Sequence, residues 1–277
     1  MSTPEPEASQ SRGISEKEIE EVERLSTPPT PVIYETVKRL GDEEMGRPFA
    51  SLWWSGTAAG LSISFSLLAQ ALLELDLPDA PWRPLVASFG YSVGFLMAVL
   101  SRQQLFTEST ITAVLPLAAD FTFANLARMT RMWAIVLAAN LVGTLVAALF
   151  CSWTPAVAPD VLHAMLEISQ RLMDISWVDM LFRGITAGFL IAAMVWLMPG
   201  AERAQFQIIT LLTYLIALGG FTHIVAGSVE AFMLVVKGHA GIVWMLASFA
   251  APTLLGNIIG GTALFAVIAY AQVMREI

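Results

Sequence analysis

The chain has 277 residues, of which 56% are apolar and only 14% charged, with a formal net charge of −8. With a mean hydropathy of +0.66, too little polar sequence is available to coat a globule of this size, which excludes a soluble enzyme and a disordered scaffold. The negative balance argues against a nucleic-acid partner, and Cys151, the only cysteine, leaves neither an intrachain disulfide nor a cysteine metal cluster.

Charge divides the chain. Residues 1–48 hold 11 of the 23 acidic and 6 of the 15 basic residues. The stretch MSTPEPEASQSRG has no apolar core, so no cleavable signal peptide is expected. Ser15-Glu16-Lys17-Glu18 is a capping-box pattern that leads into Ile19, Val22 and Leu25 at helical spacing. Pro28, Pro29 and Pro31 end that helix, and Thr30 is expected to cap a short one over Val32–Leu40. Residues 1–48 are read as an acidic cytosolic arm, a solvated extension or a regulatory plug, and residues 49–277 as the membrane domain.

From Phe49 the chain runs as apolar stretches near 49–74, 85–118, 132–153, 181–199, 206–236 and 242–273, each long enough to cross a bilayer. The second and fifth are too long for one straight helix and too short for two. Each is interrupted by polar residues, Thr107-Glu108-Ser109-Thr110 in one and Thr222-His223 in the other, the pattern of a discontinuous helix. Lys and Arg near the span ends favour both termini in the cytosol, with Arg128, Arg131, Arg203 and Arg275 on the arm's side. The predicted fold is all-α and polytopic, with six transmembrane helices. The tryptophans, mostly near span ends, read as interface anchors.

An internal repeat runs through the spans. Gly56-x-x-Ala59-Gly60-x-x-Ile63 recurs as Gly184-x-x-Ala187-Gly188-x-x-Ile191. Phe106-Thr107-Glu108 answers Phe221-Thr222-His223, and Ala139-Asn140-Leu141-Val142-Gly143 answers Gly256-Asn257-Ile258-Ile259-Gly260. Three spans separate the copies, so the halves are inverted in the membrane, and inverted repeats with broken helices place a solute site where the breaks meet. Half-helices starting after Thr107 and near His223 would aim free N–H groups and partial positive charge at that point.

Leu105-Phe106-Thr107, preceded by Ser92-Val93-Gly94-Phe95, resembles the second-span loop motif of the formate/nitrite transporter family. Gly220-Phe221-x-His223 is similar to its fifth-span histidine motif, Gly256-Asn257-Ile258-Ile259-Gly260-Gly261 to its sixth-span motif, and Ala193-Met194-Val195-Trp196 to the end of its fourth span. The surroundings of Thr107 and His223 look most like the divergent YfdC-like branch. The resemblance covers residues 35–275. It implies an aquaporin-like protomer with one pore, a homopentamer in the inner membrane, and passage of a small monovalent anion such as formate, nitrite or hydrosulfide, some with a proton. Position by position, Thr107 matches the loop threonine and His223 the central histidine. Leu105 and Phe106 match an apolar ring on the outer side of that histidine, and Tyr91, Phe95 and Ile216 the inner ring. Four positions depart from the family pattern: Thr222 replaces an acidic residue and Gly188 an asparagine. The vestibule lysine falls near Leu172, where only Arg171 is basic, and Gly227-Ser228 replaces an Asn-Met pair.

His223 is the only histidine inside a predicted span. Moving a bare carboxylate into a medium of ε near 4 costs on the order of 20 kcal/mol by Born arithmetic and several after relaxation, whereas protonating an acid of pKa about 4 at pH 7 costs ~4 kcal/mol. A proton donor between apolar rings therefore lowers the barrier; the alternative is a neutral structural peg bonded to Thr107 or a backbone carbonyl. Arg102 and Glu108 flank the first break and suit either an ion pair or a selectivity role, and Glu230 faces a vestibule or a second protomer. Thr222 and Asn257 complete the candidate set. No paired carboxylates, metal-ligand spacing or nucleophile triad marks an intramembrane enzyme, and no cofactor or metal is expected. A neutral-solute channel and a non-transporting scaffold remain as alternatives.

Overall fold

The computed structural model describes residues 28–201 and 203–274, together with Ser15 and Glu18. Those two residues make the anticipated capping box: the Glu18 carboxylate accepts from the Ser15 backbone N–H and hydroxyl, both at 2.7 Å. The helix read beyond them, over Ile19 to Leu25, lies outside the described residues.

The described residues form helices joined by short connections, with no strand among them. Helix α1 spans Thr30–Gly46 and α2 Phe49–Asp76. Then come α3 (Arg83–Leu100), α4 (Phe106–Thr112), α5 (Val114–Ala119) and α6 (Phe123–Trp153). The second half holds α7 (Pro159–Gln170), α8 (Trp177–Gly200), α9 (Gln205–Leu218), α10 (Ala226–Val236) and α11 (Ile242–Val273). Five helices are individually long and apolar enough to span a bilayer, and α9 with α10 supplies a sixth crossing in two pieces. The second crossing is α3 continued by α4 and α5. Both crossings read as discontinuous are broken, and the six crossings form two inverted three-helix repeats.

The repeat is built on close backbone contact. α2 packs along α6 and α8 along α11. A Cβ at Gly60 would strike the carbonyl oxygen of Asn140, and one at Gly188 that of Asn257. Glycine at these equivalent positions lets the axes approach to backbone contact, as small-residue motifs do in lipid. α11 holds two π-helical turns, Met245–Ala250 and Ile259–Ala266, the second containing Gly260 and Gly261, whose own Cβ positions are occupied by Ile185 O and the Thr110 side chain.

The sequence reading needs three corrections. The first break is not at Thr107–Thr110, which lie in α4; the unwound backbone is Ser101–Leu105, turned by Arg102 at φ 53. Thr30 does not cap α1; Pro29 occupies that position and no side-chain cap bond forms. Between the third and fourth spans lies α7, which buries Val161, Ala164, Met165 and Ile168 against α2 and α10. Third, the arm is not merely solvated over Thr30–Gly46. α1 buries Tyr34, Val37 and Met45, and its Glu44 carboxylate accepts from Gln104 Nε2 and Thr112 Oγ1, both at 2.8 Å. Tyr34 lies 6.1 Å from Tyr270 on α11, so both ends of the described chain sit at one end of the bundle, the arm end. The opposite, far end carries the end of α2, the start of α3 and α7.

Candidate functional site

The two breaks face each other and are held by equivalent asparagines. Asn140 on α6 accepts from Phe106 N–H (2.9 Å) and donates to Gly56 O (2.8 Å) and Gln104 O (2.9 Å). Asn257 on α11 accepts from Ile224 N–H (2.8 Å) and donates to Gly184 O (2.8 Å) and Thr222 O (2.9 Å). Unwound backbone at this depth must be satisfied by protein, and each amide supplies one acceptor and two donors to do it. Asn257 therefore holds the break and has no N–H donor left over for an anion; Asn140, noted in the sequence only as part of the repeat, does the same in the other half. Their bonds also fix the register of the repeat. Phe106 pairs with Ile224 and Leu105 with His223, three residues away from the Phe106–Phe221 pairing suggested by sequence.

One bond joins the breaks: Thr107 Oγ1 lies 2.7 Å from His223 Nε2. His223 Nδ1 accepts from the Ala226 backbone N–H at 3.1 Å, an N-cap-like bond onto α10. With Nδ1 an acceptor, the neutral ring carries its proton on Nε2 and donates it to Thr107. Thr107 Oγ1 has no other partner among the described residues, so its own hydrogen remains to be given. α4 and α10 both start at this level, with their N-termini toward the bridge. Phe95 stands edge-on to the imidazole at 5.1 Å, and Tyr91 lies 5.2 Å from Phe95. The Thr222 hydroxyl donates to Met180 O at 2.8 Å and so is engaged away from the imidazole.

A cavity opens on either side of the bridge. The far-end one, about 320 Å³, is lined by Tyr91, Ile216, His223, Glu230, Arg171 and Phe249, among others. The arm-end one, about 560 Å³, is lined by α1 residues including Glu44, by Arg102, Gln103, Gln104 and Glu108, and by Met194 and Met198. Leu105 and Phe106 are buried between the arm-end residues 102–104 and 108. Tyr91 and Ile216 thus lie on the far-end side of His223 and Leu105 and Phe106 toward the arm end, so the expectation of a cytosolic arm and that of an outer Leu105–Phe106 ring do not hold together. Phe95 borders neither cavity; it backs the imidazole. Arg102 and Glu108 form no ion pair: Arg102 is exposed, and Oε1 of Glu108 is enclosed without a hydrogen-bond partner. Glu230 faces the far-end cavity. Arg171 lines it too but is held by Glu74 at 3.0 and 2.7 Å. Trp133 is no interface anchor, since its indole N–H reaches Ser109 O at 3.0 Å.

Residues 31–271 match the family model for formate/nitrite transporters. The chain belongs to the formate/nitrite transporter family. It is 40% identical over 247 residues to the inner membrane protein YfdC of Escherichia coli (strain K12), a match covering 88% of this chain and 79% of that one. It is 28% identical over 200 residues to the formate channel FocA of Haemophilus influenzae, covering 70% and 69% of the two chains. Among solved structures, a pentameric formate channel with formate bound shares the fold at a TM-score of 0.71 and 18% identity, over 82% of this chain and 98% of that one. An FNT family ion channel matches at 0.72 and 19%, over 88% and 98%. Beside these relatives, the sequence reading omitted Asn140 as a loop-holding residue and Glu44 and Gln104 as the contact between arm and break. The Asn-x-x-Gly shared by spans 3 and 6 was the signal for the first; no pattern marked the second.

Proposed function

We propose that this member of the formate/nitrite transporter family is a homopentameric inner-membrane channel with cytoplasmic termini. Each protomer passes a small monovalent anion of the formate, nitrite or hydrosulfide class, or its conjugate weak acid, between its two cavities, with transport rather than catalysis as the activity. The observation that carries this reading is the Thr107–His223 bond, which ties the two helix breaks together between the cavities. The formate channels among the similar proteins point the same way.

A monovalent anion reaching the bridge would meet two half-helix N-termini and the Thr107 hydroxyl hydrogen, while His223 holds that hydroxyl by donating from Nε2. Tyr91 and Ile216 on the outer side, and Leu105 and Phe106 on the inner side, are the proposed apolar constrictions. Dewetting there opposes passage of a hydrated ion and favours a solute that has taken up a proton. The cost of a bare anion, on the order of 20 kcal/mol by Born arithmetic and several after relaxation, at least matches the ~4 kcal/mol for neutralising a weak acid, so the neutral form gains at the driest, narrowest points.

The test is a panel of labelled formate, nitrite, hydrosulfide and small neutral solutes in proteoliposomes, with and without a pH gradient. Flux of at least one weak-acid anion, stimulated by a gradient acid on the side of uptake, is expected. Flux of no anion, or of neutral solutes alone, refutes the proposal. Native mass spectrometry in mild detergent checks the pentamer, which a stable monomer or dimer would contradict.

A further inference from the structure

We infer that Glu108 and Glu230 exchange the transported proton with the solute, one in each cavity. The inference rests on the transport reading above and adds to it the groups that load and unload the proton.

The bridge is poorly placed to do this alone. Both nitrogens of His223 are engaged, Nδ1 by the Ala226 N–H and Nε2 by Thr107. A second proton on Nδ1 would break the bond to Ala226 and set a cation at the positive end of α10. His223 thus orients a donor but has no free site at which to receive a proton.

Glu108 follows Thr107 directly on α4 and lines the arm-end cavity. Its Oε1 is enclosed with no donor, a state that costs free energy unless the carboxyl is protonated or an arriving group donates to it. The charged residues facing that cavity are Glu44 from α1 and Arg102 from the break. Glu44 is committed to Gln104 and Thr112, Arg102 does not pair with Glu108, and the lining contributed by α8 and α9 is uncharged. Glu230 lies two turns along α10 from His223 and shares the far-end cavity with it. The ionisable groups facing it there are Glu74 from α2, Tyr91 from α3, Arg171 after α7, Arg183 from α8 and His223 itself. Arg171 is held by both Glu74 oxygens, and no ion pair engages Glu230.

The step is a proton exchange. In the far-end cavity the Glu230 carboxylic acid gives its proton to an entering carboxylate; its O–H bond breaks as the solute O–H forms. The neutral acid passes the bridge, Glu108 carboxylate takes the proton in the arm-end cavity, and the solute leaves as an anion. Each glutamate then re-equilibrates with water on its own side, so one proton moves with each solute; the reverse direction runs the same steps backwards.

The experiment uses full-length protein in proteoliposomes with labelled formate, an internal pH dye and a clamped membrane potential. Wild type should move one proton per formate, independently of the potential. Glu108→Gln and Glu230→Gln, each checked for unchanged assembly, should lower formate flux by about a hundredfold, the low side of what a positioned acid or base contributes, and flatten its pH profile. Glu108→Asp and Glu230→Asp should restore both. Unchanged flux and pH profile in both glutamine variants would overturn the inference and leave the transport reading standing, as would wild-type formate movement without protons. If aspartate fails to restore a flux lost with glutamine, the side chains are structural and the inference fails. If wild type passes none of the weak acids, the transport reading fails and this inference with it.

Discussion

Replacing Asn140 or Asn257 with alanine should destabilise the protein by similar amounts, because each holds one break by the same three bonds. Of the groups released, Gly56 O and Gly184 O lie within continuous helices and keep a backbone donor. The others do not: Phe106 N and Gln104 O in one half, and Ile224 N and Thr222 O in the other, make no other backbone bond. Two stranded backbone groups at about 1–3 kcal/mol each give about 2–6 kcal/mol per asparagine. Three ordinary interhelical bonds at an average of about 0.6 kcal/mol would together give about 1.8 kcal/mol, so a loss above about 2 kcal/mol marks the stranded backbone groups. Unfolding in a series of denaturing-detergent fractions, followed by tryptophan fluorescence, measures the loss. Asn140→Asp and Asn257→Asp keep the acceptor for the N–H but set an oxygen against two carbonyls, and should do no better than alanine. A loss below about 2 kcal/mol at either site, or a large loss at one and none at the other, would refute both the clamp and its symmetry.

His223→Asn breaks the two-ended bonding of the imidazole and Thr107→Val removes the bridging hydroxyl; both should assemble yet pass weak acids more slowly at every pH, with the shape of the pH profile kept, and wild-type flux in proteoliposomes would reduce the bridge to a structural tie. Replacing Leu105 and Phe106 together with alanine should raise flux and widen the range of solutes carried, read in the same assay against a size series; an assembled variant with wild-type flux would place the constriction elsewhere. At Glu44, burial pushes the carboxyl above the usual range, against the lowering effect of the Gln104 and Thr112 hydrogen bonds. The docked arm then holds more protons than the released arm, so docking weakens as pH rises from the ordinary carboxylate value through the raised one. Limited proteolysis of the arm should accelerate across that interval in wild type and become flat in Glu44→Gln; equal rates at acid and neutral pH in wild type would contradict it.

The spans were legible because lipid leaves few options: a crossing must be apolar and internally hydrogen-bonded, and both demands write themselves into composition and length. The breaks were legible in existence but displaced in position. Polar Thr107-Glu108-Ser109-Thr110 drew attention because it interrupts an apolar run, yet those residues are helical and project toward buried partners, Ser109 and Thr110 bonding back to Phe106 O and Thr107 O. The unwound segment is Ser101–Leu105, whose left-handed turn falls on Arg102, a residue with no preference for that conformation. Helix α7 escaped because a 12-residue amphipathic helix with acidic residues in it reads like any polar connection. The arm's docking escaped for a different reason: Glu44, Gln104 and Thr112 are far apart in sequence and of kinds common on any surface.

The scaffold is symmetric and its chemistry is not. The clamps put Leu105 and His223 at equivalent places in the two halves, so one half presents an apolar side chain where the other presents an imidazole. Thr107, two residues beyond Leu105, reaches across and makes the imidazole's partner part of the opposite repeat. Holding two breaks together needs only the asparagines, which the repeat supplies twice. Distinguishing a solute needs a direction for the hydrogen bond, and a two-fold arrangement cannot supply one, because identical donors would face identical donors. The broken symmetry at these three residues fixes it: Ala226 N–H gives to His223, His223 gives to Thr107, and the Thr107 hydrogen is what remains to be offered. The chain of donors ends between the two cavities, at the level where both half-helices begin.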